Sequence, residues 1–480
     1  MKRFVEGIER SQSTFLPECL DDFVSEDNAV RVVDIFVDGL ELRVLGFERV
    51  DPKSTGRPSY HPSVLLKLYI YGYLNRVQSS RRLEREAARN VEVMWLLGRL
   101  VPDHKTIADF RKDNGPAIRK VCSQFIELCR RIGLLATASV AIDGSKFKAV
   151  NNRDRNFTKA KMARRLKQIE ESVERYLHQL DSADRQEPTD AIRSRVTRLH
   201  EKIGRLHEEM ERLKALEARM TASPDEQISI TDPDARSMAT SGRGSGVVGY
   251  NVQAAVETDH HLIVAHDVIQ SGSDRACLTP MAEKARAALG ADELEVVADR
   301  GYFSSEQIKD SADAGITVTL PKPMTTGMRA KGQFGKQDFR YVDEQDVYIC
   351  PAGQTLSFVS HKRQSGGLHL RRYATVECGA CPKKERCTTS TQRVVTRWED
   401  EHLLEDVQRR LDENPQAMRI RRETVEHPFG TIKMRMGATH FLMKRLRNVK
   451  TEIALSVLAY NLTRVMNILG PGPLMKAMRA

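Results

Sequence analysis

Ala138-Ser139-Val140-Ala141-Ile142-Asp143-Gly144 and Leu294-Glu295-Val296-Val297-Ala298-Asp299-Arg300-Gly301-Tyr302 are two short apolar runs, each closed by an aspartate. Runs of this length, rich in Val, Ile and Ala, read as buried strands. They set two carboxylates, Asp143 and Asp299, at strand ends. A third acid, Glu426, lies in a basic segment, with Arg422 four residues before it and Lys433 seven after it. Two acids at strand ends and one on a distant helix suit a pair of divalent cations. Mg²⁺ takes hard oxygen ligands and keeps several waters, so a few carboxylates suffice. Two such ions roughly 3.5–4 Å apart activate an attacking oxygen and stabilise a leaving one in phosphodiester chemistry. Each acid alone reads more simply as a turn, a cap or a solvated ion pair. The conjunction is what carries the reading.

Working outward, Gly249 to Val256 and His261 to Ile269 read as two further strands joined by a turn at Thr258-Asp259-His260. Arg275 to Leu289 and Ser304 to Ala314 read as helices, and Ile316 to Leu320 as a last strand. The order strand, strand, strand, helix, strand, helix, strand gives a mixed sheet with helices packed on it. Between the first two strands lies a long interruption. Leu166, Ile169, Val173, Tyr176 and Leu180 repeat at steps of three and four, and Ile192, Val196, Leu199, Ile203, Leu206, Met210 and Leu213 repeat by four-three alternation. This heptad pattern predicts an antiparallel helical hairpin with arms about 30–40 Å long. It can serve as a spacer, a dimerisation element or a DNA clamp.

Residues 1–135 read as mostly helical. Asn28 to Leu45 has apolar residues at helical spacing, Pro62 opens a helix over His61 to Asn75, and a further helix starts near Asp103. Ser79-Ser80 reads as the N-cap of a short helix carrying Arg81, Arg82, Arg85 and Arg89. Consecutive short helices with one basic face fit a helix-turn-helix DNA reader, or else a bundle whose arginines are solvated. At the other end, Glu405 to Leu469 is strongly basic, and Ile453 to Leu469 reads as an amphipathic helix covering the sheet. On a regular helix Glu426 lies about 40° from Arg422, with Lys433 between them. Pro428 predicts a kink or break within that helix.

Eight cysteines are too few and too scattered for a disulfide scaffold. Cys122 and Cys129, a heptad apart, read as core. Cys350, Cys378, Cys381 and Cys387 cluster in a loop-rich stretch, and the Cys378-x₂-Cys381 knuckle fits tetrahedral zinc. Four reduced thiols are the alternative, and His361 and His369 are possible substitute ligands. The net charge is +11, which suggests a polyanionic partner such as nucleic acid. No apolar run approaches the length of a membrane span. Met1-Lys2-Arg3 is not followed by a signal-peptide core, so the chain is expected in the cytoplasm with no membrane partner.

Asp-x-Gly-Tyr at Asp299 to Tyr302 and Arg-x₃-Glu-x₆-Lys at Arg422, Glu426 and Lys433 resemble the signatures of DDE transposases of bacterial insertion sequences. Gly56-Arg57-Pro58, Tyr71-Gly72-Tyr73-Leu74-Asn75 and Pro102-Asp103-His104-Lys105-Thr106-Ile107 resemble the amino-terminal region of insertion-sequence family 1182. The resemblance covers nearly the whole chain. Related families often carry a Tyr three residues before the Arg, where this chain has Arg419. The resemblance implies an α+β fold with an RNase H-like mixed-sheet catalytic core over residues 136–151 and 231–323, completed by C-terminal helices over 401–480. Around it are expected a helical DNA-binding domain over 1–135, a coiled-coil hairpin insertion over 152–230 and a Cys-containing β-rich insertion over 324–400. It implies a bacterial, nucleoid-associated enzyme that binds terminal inverted repeats on double-stranded DNA, cuts there and joins the ends to target DNA, as a homodimer on its DNA. Asp143, Asp299 and Glu426 would be both catalytic and metal ligands for two Mg²⁺ (or Mn²⁺) ions. Arg422 and Lys433 would hold phosphates, with Lys146 and Arg300 as weaker candidates, and Arg81, Arg82, Arg85 and Arg89 would bind the element's ends. A non-catalytic DNA-binding protein and a metal-dependent nuclease or resolvase are the alternative readings.

Overall fold

The computed structural model describes residues 19–52, 58–151, 155–185, 187, 189–221, 226–239, 246–323, 332–363 and 369–480. The amino-terminal part is helical: α1 (Ala29–Asp38), α2 (Leu42–Leu45), α3 (Pro62–Leu74), α4 (Ser80–Arg89), α5 (Val91–Leu97), α6 (His104–Asp113) and α7 (Gly115–Arg131). Local signals set most of these starts. Asn28 accepts from Val30 N–H at 2.9 Å, Pro62 stands in the first turn of α3, and Asp103 accepts from the N–H groups of Lys105 and Thr106, each at 3.0 Å. The helix expected from Asn28 to Leu45 is two helices, because the chain turns at Gly39 and Leu40.

Then come β1 (Ser139–Lys148), β2 (Asn156–Thr158), α8 (Lys159–Asp184), α9 (Asp190–Thr221), β3 (Gln227–Ser229), β4 (Arg236–Met238), β5 (Val247–Glu257), β6 (Ile263–Ile269), α10 (Leu278–Leu289), β7 (Leu294–Ala298), α11 (Ser305–Asp313) and β8 (Ile316–Thr319). Among the described residues one sheet has β5, β1, β7 and β8 side by side, with β4 and β6 both on the outer edge of β5. β5 pairs antiparallel with β1 and β6, whereas β1, β7 and β8 run parallel. The expected hairpin is α8 and α9, but α9 has 32 residues and is about 48 Å long, longer than its spacing suggested. The hairpin is closed by its own apolar clusters around Ile169 and Leu213, and around Leu180 and Leu199.

The cysteine-bearing insertion is a meander of β9 (Arg340–Val342), β10 (Val347–Ile349), β11 (Thr355–Arg363), β12 (His369–Ala374) and β13 (Val394–Trp398). Its apolar cluster is small: Phe339, Tyr348, Leu356, Tyr373 and Val395 are the buried members. Burial pushes the Cys387 thiol up. Arg393 opposes that shift, and the thiols of Cys378, Cys350 and Cys381 add to it.

The chain ends with α12 (Glu401–Glu413), α13 (Ala417–Gly430), a π-type turn at Thr431–Arg435, α14 (Leu446–Leu469) and α15 (Pro471–Arg479). The break that Pro428 predicts falls at this turn. α14 differs from its expectation. Every residue from Thr451 to Leu462 is buried, so the helix is enclosed rather than amphipathic. It packs against α7 and α3 on one side and β6 on the other, and one continuous core runs from Val24 to Leu474. The amino-terminal helices therefore share their core with the sheet. Asn461 donates to Ile263 O at 2.9 Å and accepts from Ile263 N–H at 3.0 Å, occupying backbone groups of the edge strand β6. Asp267 on β6 binds Lys284 of α10 and, at 2.7 Å, Lys450 of α14. Burial raises its pKa, but the hydrogen bonds from the two lysines outweigh that and hold it at about 2. Among the described residues no single helix is long and apolar enough to cross a membrane.

Candidate active site

Ile142 and Ala298 are partners in the parallel register of β1 and β7, so Asp143 and Asp299 follow one step further on neighbouring strands. β7 ends there as expected. β1 does not: it continues to Lys148, because β5 pairs with it as far as the Lys148–Gly249 step. Asp143 therefore sits within a strand. α13 crosses this end of the sheet and sends Arg421 onto the two acids, with Nη2 2.6 Å from Asp143 Oδ1 and 3.9 Å from Asp299 Oδ2. Burial pushes the Asp143 carboxyl up to about 6. Arg421 and the Gly144 N–H oppose this, and the charges of Asp299 and Asp274 reinforce it.

Asp274 is a fourth carboxylate that the sequence did not single out. It lies in the polar loop Ser271-Gly272-Ser273-Asp274 after β6, where no periodicity or motif marks it. Asn251 Nδ2 and Gln253 Nε2, both from buried side chains on β5, donate to Asp274 Oδ1 at 2.7 Å. The buried Tyr302 hydroxyl donates to Gln253 Oε1. The Tyr of Asp-x-Gly-Tyr is thus one end of a chain running Tyr302, Gln253, Asp274. Asp299 supports the same turn by accepting from Gly301 N–H at 2.7 Å. Gly144 lets this chain approach Asp143. A Cβ there would stand 2.4 Å from Gln253 Nε2 and 2.7 Å from Asp274 Oδ1.

This set of groups fits a hard divalent cation. The charges of Asp299 and Asp274 both act on Asp143, and beside them the buried Asn251 Oδ1 has no hydrogen-bond donor among the described residues. Carboxylate and amide oxygens are the ligands that Mg²⁺ and Mn²⁺ prefer. As the side chains stand, no three acidic, histidine or cysteine groups are at metal-binding distance among the described residues.

Of the residues the sequence pointed to, the structure brings Asp143 and Asp299 together and leaves Glu426 apart. Glu426 is exposed on α13 and makes no ion pair among the described residues. Arg422 is also exposed, and its neighbour Arg421 faces the acids instead. The buried residues Ala417, Thr424, Val425 and Pro428 mark the inward side of α13, and Arg421 falls on it. Lys433 lies beyond the helix, on the π-type turn. From there Nζ donates to Ser145 Oγ at 2.6 Å and to Lys146 O at 3.0 Å, two and three residues from Asp143. Lys146 donates to Ala239 O at 2.6 Å, and Arg300 is exposed. On α4, Leu83 and Ala87 face inward while Arg81, Arg82, Arg85 and Arg89 are all exposed, with Arg89 bound to Glu86 at 2.5 Å.

Residues 18–113 match the family described as Transposase domain (DUF772), and residues 349–466 match the family described as Transposase DDE domain. These matches support a DDE transposase. No curated protein matches the sequence. Among solved structures, the cryo-EM structure of the piggyBac transposase synaptic complex with hairpin DNA is 9% identical over 94% of this chain and 79% of that chain, with a TM-score of 0.31. A likeness that slight carries no argument about the fold. The DDE-domain match includes Glu426, Lys433 and the four clustered cysteines, whereas Asp143 and Asp299 lie between the two matched stretches. The pairing of those two aspartates is thus an observation of the structure, independent of the matches.

Proposed function

We propose that the chain is the transposase of a bacterial insertion sequence, resembling family 1182, that binds terminal inverted repeats, cuts one strand at each end and joins the exposed 3′-hydroxyl to target DNA. One observation carries the reading: Asp143, on β1, and Asp299, at the end of the adjacent parallel strand β7, stand side by side, next to the antiparallel β5 and β6. That strand order, β6-β5-β1-β7-β8, supports an RNase H-like core.

Asp143 and Asp299 would hold two Mg²⁺ or Mn²⁺ ions, with Glu426 as the third acid and Asn251 Oδ1 and Asp274 beside them. When bound, such ions activate the attacking oxygen and neutralise charge on the scissile phosphate. The protein's own groups do the rest. Arg421 offsets the repulsion between the two aspartates and keeps their carboxylates in register. The chain from Tyr302 through Gln253 fixes Asp274. Lys433, anchored beside Asp143, and the exposed Arg422 are placed to meet DNA phosphates, and the α4 arginines to meet the duplex further out. A dimer on paired ends, located in the cytoplasm on the nucleoid, belongs to the same proposal.

The test is strand nicking and joining on a duplex carrying the element's terminal repeat. Wild-type protein is expected to nick at the repeat and transfer the end only with Mg²⁺ or Mn²⁺. Nicking without end-joining would replace the reading with a nuclease or resolvase, and repeat binding without any cleavage would replace it with a repressor-like DNA-binding protein.

A further inference from the structure

The four cysteines of the β insertion lie outside the acid site, and the proposed reaction makes no use of them. Cys350 directly follows β10, and the chain folds back on it. Gly353, at φ +80°, donates its N–H to Cys350 O at 2.8 Å, and Gln354 N–H is directed at Cys350 Sγ, 3.3 Å away. Cys378 and Cys381 follow β12, and Cys387 closes a short turn with its N–H on Lys384 O at 2.9 Å. Arg393 N–H donates to Cys378 Sγ at 3.5 Å. All four thiols line one cavity of about 20 Å³. That is space for about one ion or water. Neither His361 nor His369 lines it, which removes both as substitute ligands.

We propose that Cys350, Cys378, Cys381 and Cys387 bind a single zinc ion as thiolates, and that the ion clamps the β9–β13 insertion. Thiolates are the soft ligands that select zinc, and four of them complete a tetrahedral structural site. Backbone N–H groups aimed at Cys350 and Cys378 stabilise the negative charge that ligation puts on sulfur. Lys383, Lys384 and Arg393 also line the cavity and offset the net negative charge of a four-thiolate zinc centre. The insertion has a use for such a clamp. Its own apolar cluster is small, with Trp398 and Leu370 reaching the main core instead, and small units of this kind commonly depend on a metal. No three ligand groups stand at metal-binding distance among the described residues, so binding draws the thiols inward.

The test uses the full-length protein purified without chelator. Metal analysis is expected to find about one zinc per chain. Cobalt substituted for zinc should show thiolate-to-metal absorption in the near ultraviolet. The four clustered thiols should resist alkylation until the metal is chelated, and chelation should open residues 332–398 to protease. In C381S, zinc content should fall at least about tenfold. If that variant fails to fold, the cobalt spectrum and alkylation pattern of wild-type protein still decide. The proposal is overturned by zinc-free protein whose insertion resists protease while its thiols react freely. It is equally overturned by iron at the site, or by a disulfide among the four.

Discussion

The two strand-borne aspartates and the helix-borne glutamate were expected to meet, and only the aspartates do. Asp143 and Asp299 are placed by the hydrogen-bonded register of β1 and β7, where one step along either strand fixes which face a side chain takes. Glu426 sits on α13, two residues before a proline and five before the helix gives way to a π-type turn. A helix is attached to a sheet only through side-chain packing, so its rotation follows which residues are buried. Here Val425 and Thr424 point inward, carrying Arg421 to the acids and leaving Glu426 in solvent. Strands place a carboxylate tightly, whereas the packing of this helix turns its acid outward.

The largest effect should come from the sheet. Asp143→Asn and Asp299→Asn should each reduce end cleavage by at least about 100-fold, with repeat binding changed by less than about twofold. Cleavage assays alongside gel shifts measure this, and near-normal cleavage by either variant removes that residue from the site. Glu426→Gln sharpens the helix side. It should cost as much as the strand aspartates, whereas Asp274→Asn should cost about 10–100-fold and raise the Mg²⁺ concentration needed for half-maximal cleavage. The opposite ranking would make Asp274 the third acid and Glu426 a surface residue.

Tyr302→Phe removes one hydroxyl from behind the sheet acids. We expect a loss near the lower end of that range, about tenfold, again seen as a higher Mg²⁺ concentration for half-maximal cleavage. An equal loss at saturating metal would mean that the hydroxyl acts otherwise than by holding Gln253. Asp267→Asn tests how α10 and α14 are docked on the sheet. The folded pKa of Asp267, about 2, lies below its ordinary value of 3.8, so its contribution is present above pH 4 and is lost as pH falls towards 2. The variant should lose about 2 kcal/mol at pH 7 and nothing near pH 2, as read by denaturant unfolding. The smallest effect belongs to α4. Arg85→Ala should weaken DNA binding a few-fold and reduce the salt dependence by about one phosphate contact. No change in the salt slope would leave α4 as an ordinary solvated helix.

Much of the local structure was legible because its causes are local. Val140 to Asp143 and Leu294 to Asp299 state their strands through β-branched runs, Pro62 and Asp103 announce helix starts, and the heptads from Leu166 to Leu213 announce the hairpin. The cysteine knuckle and the break after Pro428 were legible for the same reason.

What only the tertiary structure decided involves partners far apart in the chain. That Arg421 rather than Arg422 reaches Asp143 depends on α13 packing across β1. That Asp274 joins the acids depends on Asn251 and Gln253 holding a loop that carries no pattern of its own. That the amino-terminal helices share a core with the sheet depends on α14 having two faces to bury, one against α7 and one against β6. Propensity and periodicity act over a few residues and set which elements form. Which face of an element meets which partner is a balance of burial across the whole chain, and here that balance placed two acids together, added a third and held Glu426 outside.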